Sequence, residues 1–188
     1  MKLVEAIKCQ EQIQSIGEFM EKHNGKHYKH LWDFGLQCAL RITDLLSIKF
    51  DQIKPDGAGG HQITLKEKKT KKTRIITLNV KASEIVNQRR TDHPDYVYLF
   101  QSKARNVKTV KPLSRQSVAA VFKEAGDAHD VSLGTHSMRK TRGFHLYRQS
   151  NDLALVQKLL NHSNSAETLR YIGMNDAAVQ ASYHDLVL

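Results

Sequence analysis

The sequence predicts a mostly helical α+β domain with one small antiparallel sheet after the first helices. Apolar residues recur at helical spacing over 3–22, over 27–40 and through most of the second half. Two β-rich stretches, "HQITLKE" and "TRIITLN", flank a lysine-rich connection, which is the pattern of a hairpin. The 188 residues show no internal repeat and no low-complexity linker, so they fit one domain long enough to bury a core.

The elements follow in order. "HNGKH" (23–27) breaks the first helix from the second at a glycine. "RITDLLSI" continues as a short helix with Thr43 as its cap, and "KFDQIKPDGAGG" ends in the densest Pro/Gly cluster of the chain, a turn. The hairpin then places Lys68, Lys69, Lys71 and Lys72 at or near its tip. Val80 to Arg90 is helical, and "DYVYLF" (95–100) is a short strand. Helices close the chain: Ser114 caps "RQSVAAVFKEAGDAH" and Thr135 caps "HSMRKTRGFHLYRQS". "DLALVQKLL", "AETLRYIG" and "DAAVQASYHDL" complete the set.

Composition narrows the class. With 40% hydrophobic and 26% charged residues the chain is globular rather than disordered. No apolar run approaches the roughly 18 residues of a membrane span, and "MKLVEAIKCQEQ" lacks the core of a signal peptide, so the expected location is the cytoplasm. Cys9 and Cys38 are too few for a disulfide framework or zinc cluster and read as packing residues in a reducing compartment. A net charge of +10 favours a polyanionic partner. The basic residues crowd "LKEKKTKKTR" (65–74) and "SKARNVKTVK" (102–111), two connections able to follow a phosphate backbone; a solvated basic surface is the plain alternative.

Five residues stand out chemically. His136 and Arg139 share one face near a helix N-terminus, where an anion is favoured; a surface arginine and a satisfied histidine would look the same. Arg41, between two apolar stretches, needs an anionic ligand or an internal partner, and Asp44 stands three residues on. His162 sits at a helix end, the position of a cap or a catalyst. Tyr171 closes an amphipathic stretch and reads alone as half core, half surface.

Taken in order, Arg41, a hairpin lysine, His136-x-x-Arg139, His162 and Tyr171 resemble the catalytic domain of the tyrosine recombinase (phage integrase) family. The local texts are similar too. "ALRITDL" resembles the family's arginine box, "HSMRKTRGFHLYRQSNDLALVQKLLNHSNSAETLRY" its second box, and "YLFQSKARNVKTVKPLSRQSVAAVFKEAG" the segment between, across roughly residues 30 to 175.

The resemblance implies a site-specific recombinase that cuts and rejoins double-stranded DNA through a 3′-phosphotyrosine, with neither cofactor nor metal. Tyr171 would be the nucleophile, with Arg41 and Arg139 on the phosphate oxygens. Lys69 would be the general acid, its "KT" context matching best among Lys66, Lys68, Lys71 and Lys72. His136 would exchange a proton near Tyr171, His162 would donate to a phosphate oxygen, and Asp44 and Ser163 would lie behind them, Asp44 holding Arg41. DNA contacts are expected from Lys66, Lys68, Lys71, Lys72, Arg74, Lys103, Arg105, Lys108, Lys111, Arg115 and Lys140. Lys140 replaces a histidine frequent after the second arginine.

The resemblance further implies a homotetramer on paired sites, a monomer or weak dimer when free, and an accessory DNA-bending protein. The whole chain is then one catalytic domain, about 1–174 as core and 175–188 as a C-terminal helix docking on a neighbouring protomer or packing on its own, with no room for a separate N-terminal clamp, as expected either of a fragment or of a small recombinase that consists of a catalytic domain alone. A type IB topoisomerase or telomere resolvase would share the same residues, and a non-catalytic DNA-binding regulator the same scaffold.

Overall fold

The first helix begins later than its apolar periodicity predicts. In the computed structural model, which describes residues 4, 6–103, 109–174, 180, 183 and 184, helix α1 spans Gln10–Asn24 with Cys9 in extended backbone at its N-cap. Cys9 is exposed, its Sγ 2.6 Å from Glu11 Oε2, and so is no packing residue; Cys38 is buried. Ile7 is buried on a later helix instead: its N–H donates to Thr141 Oγ1 at 2.9 Å, and its carbonyl lies 3.0 Å from His145 Nε2.

Helix α2 (Lys26–Cys38) is separated from α1 by Gly25 alone, whose φ of 96° no side-chain-bearing residue adopts readily. Its residues Leu31, Trp32 and Phe34 are fully buried. Trp32 meets Phe122 and Phe34 meets Phe100 edge to face. It ends at Ala39 in the left-handed region.

Chain direction resets there, and Arg41, not Thr43, becomes the N-cap of α3 (Ile42–Leu46), its carbonyl accepting from Leu45 N–H at 2.9 Å. After a 3₁₀ turn (Phe50–Gln52) comes a strand that the Pro/Gly cluster had concealed, β1 (Ile53–Pro55). It pairs antiparallel with β2 (His61–Lys66), which pairs with β3 (Thr73–Leu78) in the register Ile63↔Ile76 and Leu65↔Arg74. Pro55 fits because β1 is an edge strand. On β2, Ile63 and Leu65 face the core while Thr64 and Lys66 face water, the period of two that fixes the register.

Helix α4 (Val80–Asp92) is capped by Asn79. "DYVYLF" is not a strand. Tyr98 makes one isolated bridge to Lys49, and Leu99 and Phe100 are buried as packing groups, so β-forming residues here serve the core. A second bridge, Gln101 to Pro112, closes the base of the basic loop.

Ser114 accepts from Ser117 N–H and caps α5 (Arg115–Ala128), as its sequence predicts. Helix α6 (Ser137–Ser150) starts after Thr135. A turn in which Ser137 N–H donates to Gly134 O moves the start on and puts His136 at the N-cap. Asp152 and Asn164 cap α7 (Leu153–Leu160) and α8 (Ser165–Tyr171). The predicted tail helix lies almost wholly outside the described residues.

The core divides in two. Most of it is one cluster, built from α1 to α5, the sheet, Met138 of α6 and connecting residues such as Leu99 and Phe100. A smaller one, Ala39, Val156, Leu160 and Ile172, holds α7 and α8 against the end of α2 with Leu169 and Tyr171 at its edge.

Candidate active site

The two arginines occupy different settings. Arg139, on the first turn of α6, is 1% exposed, an unusual place for a guanidinium. It is held by backbone: one Nη donates to Ala39 O at 2.7 Å and the other to Leu160 O. Both carbonyls belong to helix ends, those of α2 and α7, whose last C=O groups lack intrahelical partners. Burial, reinforced by the charge of Arg41, lowers its pKa to about 10, so it stays cationic at neutral pH. Arg41 is half-buried, and its Nη1 donates to Glu67 Oε2 at 3.2 Å.

That contact corrects the expectation for Asp44. Asp44 is buried, but its Oδ1 accepts the backbone N–H of Lys68 at 2.9 Å, so it anchors the hairpin turn while Glu67 pairs with Arg41. Glu67 is 1% exposed and also accepts from Thr70 Oγ1 (2.7 Å), Asn161 Nδ2 (2.7 Å) and Arg74 Nη1 (3.4 Å). Burial acts to raise its pKa, yet the bonds from Thr70 and Asn161 and the charges of Arg41 and Arg74 outweigh it and lower the pKa overall. Sequence reasoning missed Glu67 because a lone carboxylate among lysines reads as solvated charge.

The tyrosine and the two histidines meet. Tyr171 Oη lies 3.0 Å from His136 Nδ1. The His162 ring stands edge-on to Tyr171, centroids 4.6 Å apart, and Lys140 Nζ lies 5.1 Å from the Tyr171 centroid. Burial raises the Tyr171 pKa, with Arg139 and Arg41 pulling against it, so the phenol is protonated at neutral pH. Burial on one side lowers the His136 pKa, helped by Arg139, Arg115, Lys140 and Arg41, so the imidazole is neutral and able to accept. His162 is 8% exposed, its Nδ1 3.1 Å from Thr168 Oγ1 and its Nε2 3.4 Å from Glu167 Oε1. Burial lowers its pKa too, Glu167 pulls the other way, and the charges of Arg139, Arg41 and Lys69 add to the lowering.

Lys69 is therefore the hairpin lysine whose charge is felt at His162, from the turn 68–70. Lys66, Lys68, Lys71 and Lys72 are exposed around it, as are Lys103, Lys111, Arg115 and Ser163. Arg74 differs from these exposed residues. It turns inward, donating to Leu159 O at 2.6 Å as well as to Glu67, with its side chain 19% exposed. Lys140 is half-buried and donates to Val4 O at 2.7 Å while flanking Tyr171. Arg105 and Lys108 lie outside the described residues. Among the described residues no three His, Cys, Asp or Glu side chains are grouped to hold a metal ion, and no helix is long and apolar enough to cross a membrane.

Helices around a small antiparallel sheet, with two arginines and two histidines gathered on a tyrosine, define the catalytic-domain fold of the tyrosine recombinases. The chain belongs to the phage integrase family, whose model matches residues 9–178.

It is 35% identical over 184 residues to a probable integrase/recombinase, YoeC, of Bacillus subtilis, covering 97% of each chain. It is 29% identical to the tyrosine recombinase XerC of Caldanaerobacter subterraneus over 77% of this chain but 40% of that one. Among solved structures, a XerH site-specific recombinase bound to difH in a post-cleavage complex superposes with a TM-score of 0.74 at 17% identity, over 97% of this chain and 53% of that one. A lambda integrase dimer bound to a COC′ core site superposes with a TM-score of 0.70 at 18% identity, over 94% and 62%.

Proposed function

We propose that the protein is a site-specific DNA recombinase that cuts and rejoins double-stranded DNA through a covalent 3′-phosphotyrosine. One observation carries the reading: Tyr171 Oη lies 3.0 Å from Nδ1 of His136, whose pKa is lowered by burial and by the nearby cations, with buried Arg139 and half-buried Arg41 supplying positive charge beside it. A tyrosine serving only the core has no need of that company.

Tyr171 attacks the scissile phosphorus, and its proton passes to His136 Nδ1. The new Tyr171 O–P bond forms as the P–O5′ bond breaks, and Lys69 gives a proton to the departing 5′-oxygen. The two guanidinium groups offset the charge that grows on the non-bridging oxygens, the work that bound metal ions do in other phosphoryl-transfer sites. Attack by a 5′-hydroxyl reverses each step. Assembly as a tetramer on paired sites is supported by a fold shared with a lambda integrase tetramer bound to a Holliday junction. The exposed lysines around the hairpin tip supply a salt-sensitive grip on the phosphate backbone, and an accessory DNA-bending protein would add to it.

Nicked suicide duplexes tiling the DNA around its gene test the reading on a denaturing gel. Wild type forms a covalent protein–DNA adduct on at least one duplex, and Tyr171→Phe forms none. An adduct that survives in Tyr171→Phe moves the nucleophile elsewhere, with Tyr183 and then Tyr147 next to be tried.

A further inference from the structure

The site's reacting groups come from separate stretches of chain, and one buried side chain touches three of those stretches. Glu67 pairs with Arg41, accepts the hydroxyl of Thr70 in the turn that carries Lys69, and accepts the amide of Asn161, the neighbour of His162. Its backbone closes the same turn, with Lys71 N–H donating to Glu67 O at 2.9 Å and Glu67 N–H to Lys72 O at 3.0 Å. Lys71 stands there at a φ of 59°, a conformation that such bonds must hold against its side-chain sterics. Asp44 fixes the other side of the turn through Lys68 N–H. A lysine on an exposed turn has a long flexible stem, so its acid function depends on how firmly the turn itself is set.

We infer that Glu67 is a positioning residue that locks the Lys69 turn to Arg41, so that the general acid and the phosphate clamp are placed by one carboxylate. It has no part in proton transfer itself, being buried behind Arg41 and saturated by four donors. The inference rests on the recombinase reading above.

Leaving-group substitution separates placement of the acid from general support of the fold. In a duplex with a 5′-bridging phosphorothiolate at the cleaved position, the P–S bond breaks to a thiolate that departs without a proton. Loss of the acid then ceases to matter. Single-turnover cleavage is measured on the oxygen and sulfur forms of the duplex that yields the wild-type adduct.

Thr70→Val removes the hydroxyl's bond to Glu67, and with it a long 3.4 Å contact from Lys72 N–H, and is expected to cleave the oxygen duplex about tenfold more slowly, and the sulfur duplex at the wild-type rate. Glu67→Gln is expected to lose rate on both duplexes through Arg41, with the larger loss on oxygen. Lys69→Ala sets the scale, with its defect confined to oxygen. Wild-type rates in Thr70→Val, or a loss equal on both duplexes in either variant, would overturn the role given to Glu67. Wild type forming no adduct at all removes the recombinase reading instead. A Lys69→Ala that matches wild type on oxygen removes the assignment of the acid and, with it, this inference. Thr70→Val is nearly isosteric, so it keeps the question open to test even if Glu67→Gln does not fold.

Discussion

At the scale of single residues, the site depends on buried charges that backbone carbonyls and carboxylates hold in place. Arg139 illustrates it. Its guanidinium spans the carbonyls of Ala39 and Leu160, and a lysine's single ammonium cannot bridge both while facing a phosphate. Arg139→Lys is expected to lower single-turnover cleavage by at least about 100-fold, the scale of losing one transition-state donor, while filter-bound DNA changes little because many exposed lysines share that task. Cleavage within a few fold of wild type would show that the fork geometry is dispensable. The residue list was legible because each member sits in a short local text: "ALRITDL" for Arg41, "HSMRK" for His136 and Arg139, "LRY" for Tyr171. Their partners were not. Glu67 meets Arg41 across 26 positions, and the carbonyls that hold Arg139 exist as acceptors only once α2 and α7 have ended.

At the scale of elements, periodicity located the helices and alternation located the hairpin, while their ends were set by contacts further away. Helix α1 starts late because Ile7 finds burial against α6, and β1 escaped notice because three residues beside a Pro/Gly turn carry no alternation to read. Ala39 takes a left-handed φ of 52° without the glycine or asparagine that usually announces one. These details matter to the nucleophile, since α8 is held through the small second cluster and not through the main core. Leu160, at 0% exposure, is central to that cluster. Leu160→Ala should cost about 2–5 kcal/mol where it is felt. The cluster forms a separable unit, so that cost should appear first as loosening of α7 and α8. Hydrogen exchange is expected to rise across 153–172 well before that of α2. Adduct formation should fall further than the melting temperature suggests. Uniform deprotection over the whole chain would mean that the two clusters unfold as one.

Across the whole molecule, the same burial that tunes the site sets a dependence of stability on pH. His27 and His30, where α2 begins, have pKa values lowered to about 4, first by burial and then by Arg89 with Lys103 or Lys26. Asp33 and Asp92 pull the other way at His30 without reversing it, and His93 adds its own positive influence at His27. His162 shifts in the same direction at the active site. Each of these imidazoles has an ordinary pKa near 6.5 when the chain unfolds, so below that pH the unfolded chain takes up protons that the folded one refuses. Their contribution to stability is complete above pH 6.5 and is lost as pH falls from there towards about 4. Glu67, with its pKa lowered, acts with the same sign lower on the scale. Calorimetry is therefore expected to find a melting temperature nearly level from pH 8 to 7 that declines steadily from 6.5 to 4, and a His27→Gln, His30→Gln double variant with a shallower decline. An unchanged slope in the double variant would place the pH sensitivity elsewhere, among the other lowered imidazoles, His93, His136 and His162, and His162→Gln would then be the first variant expected to flatten it.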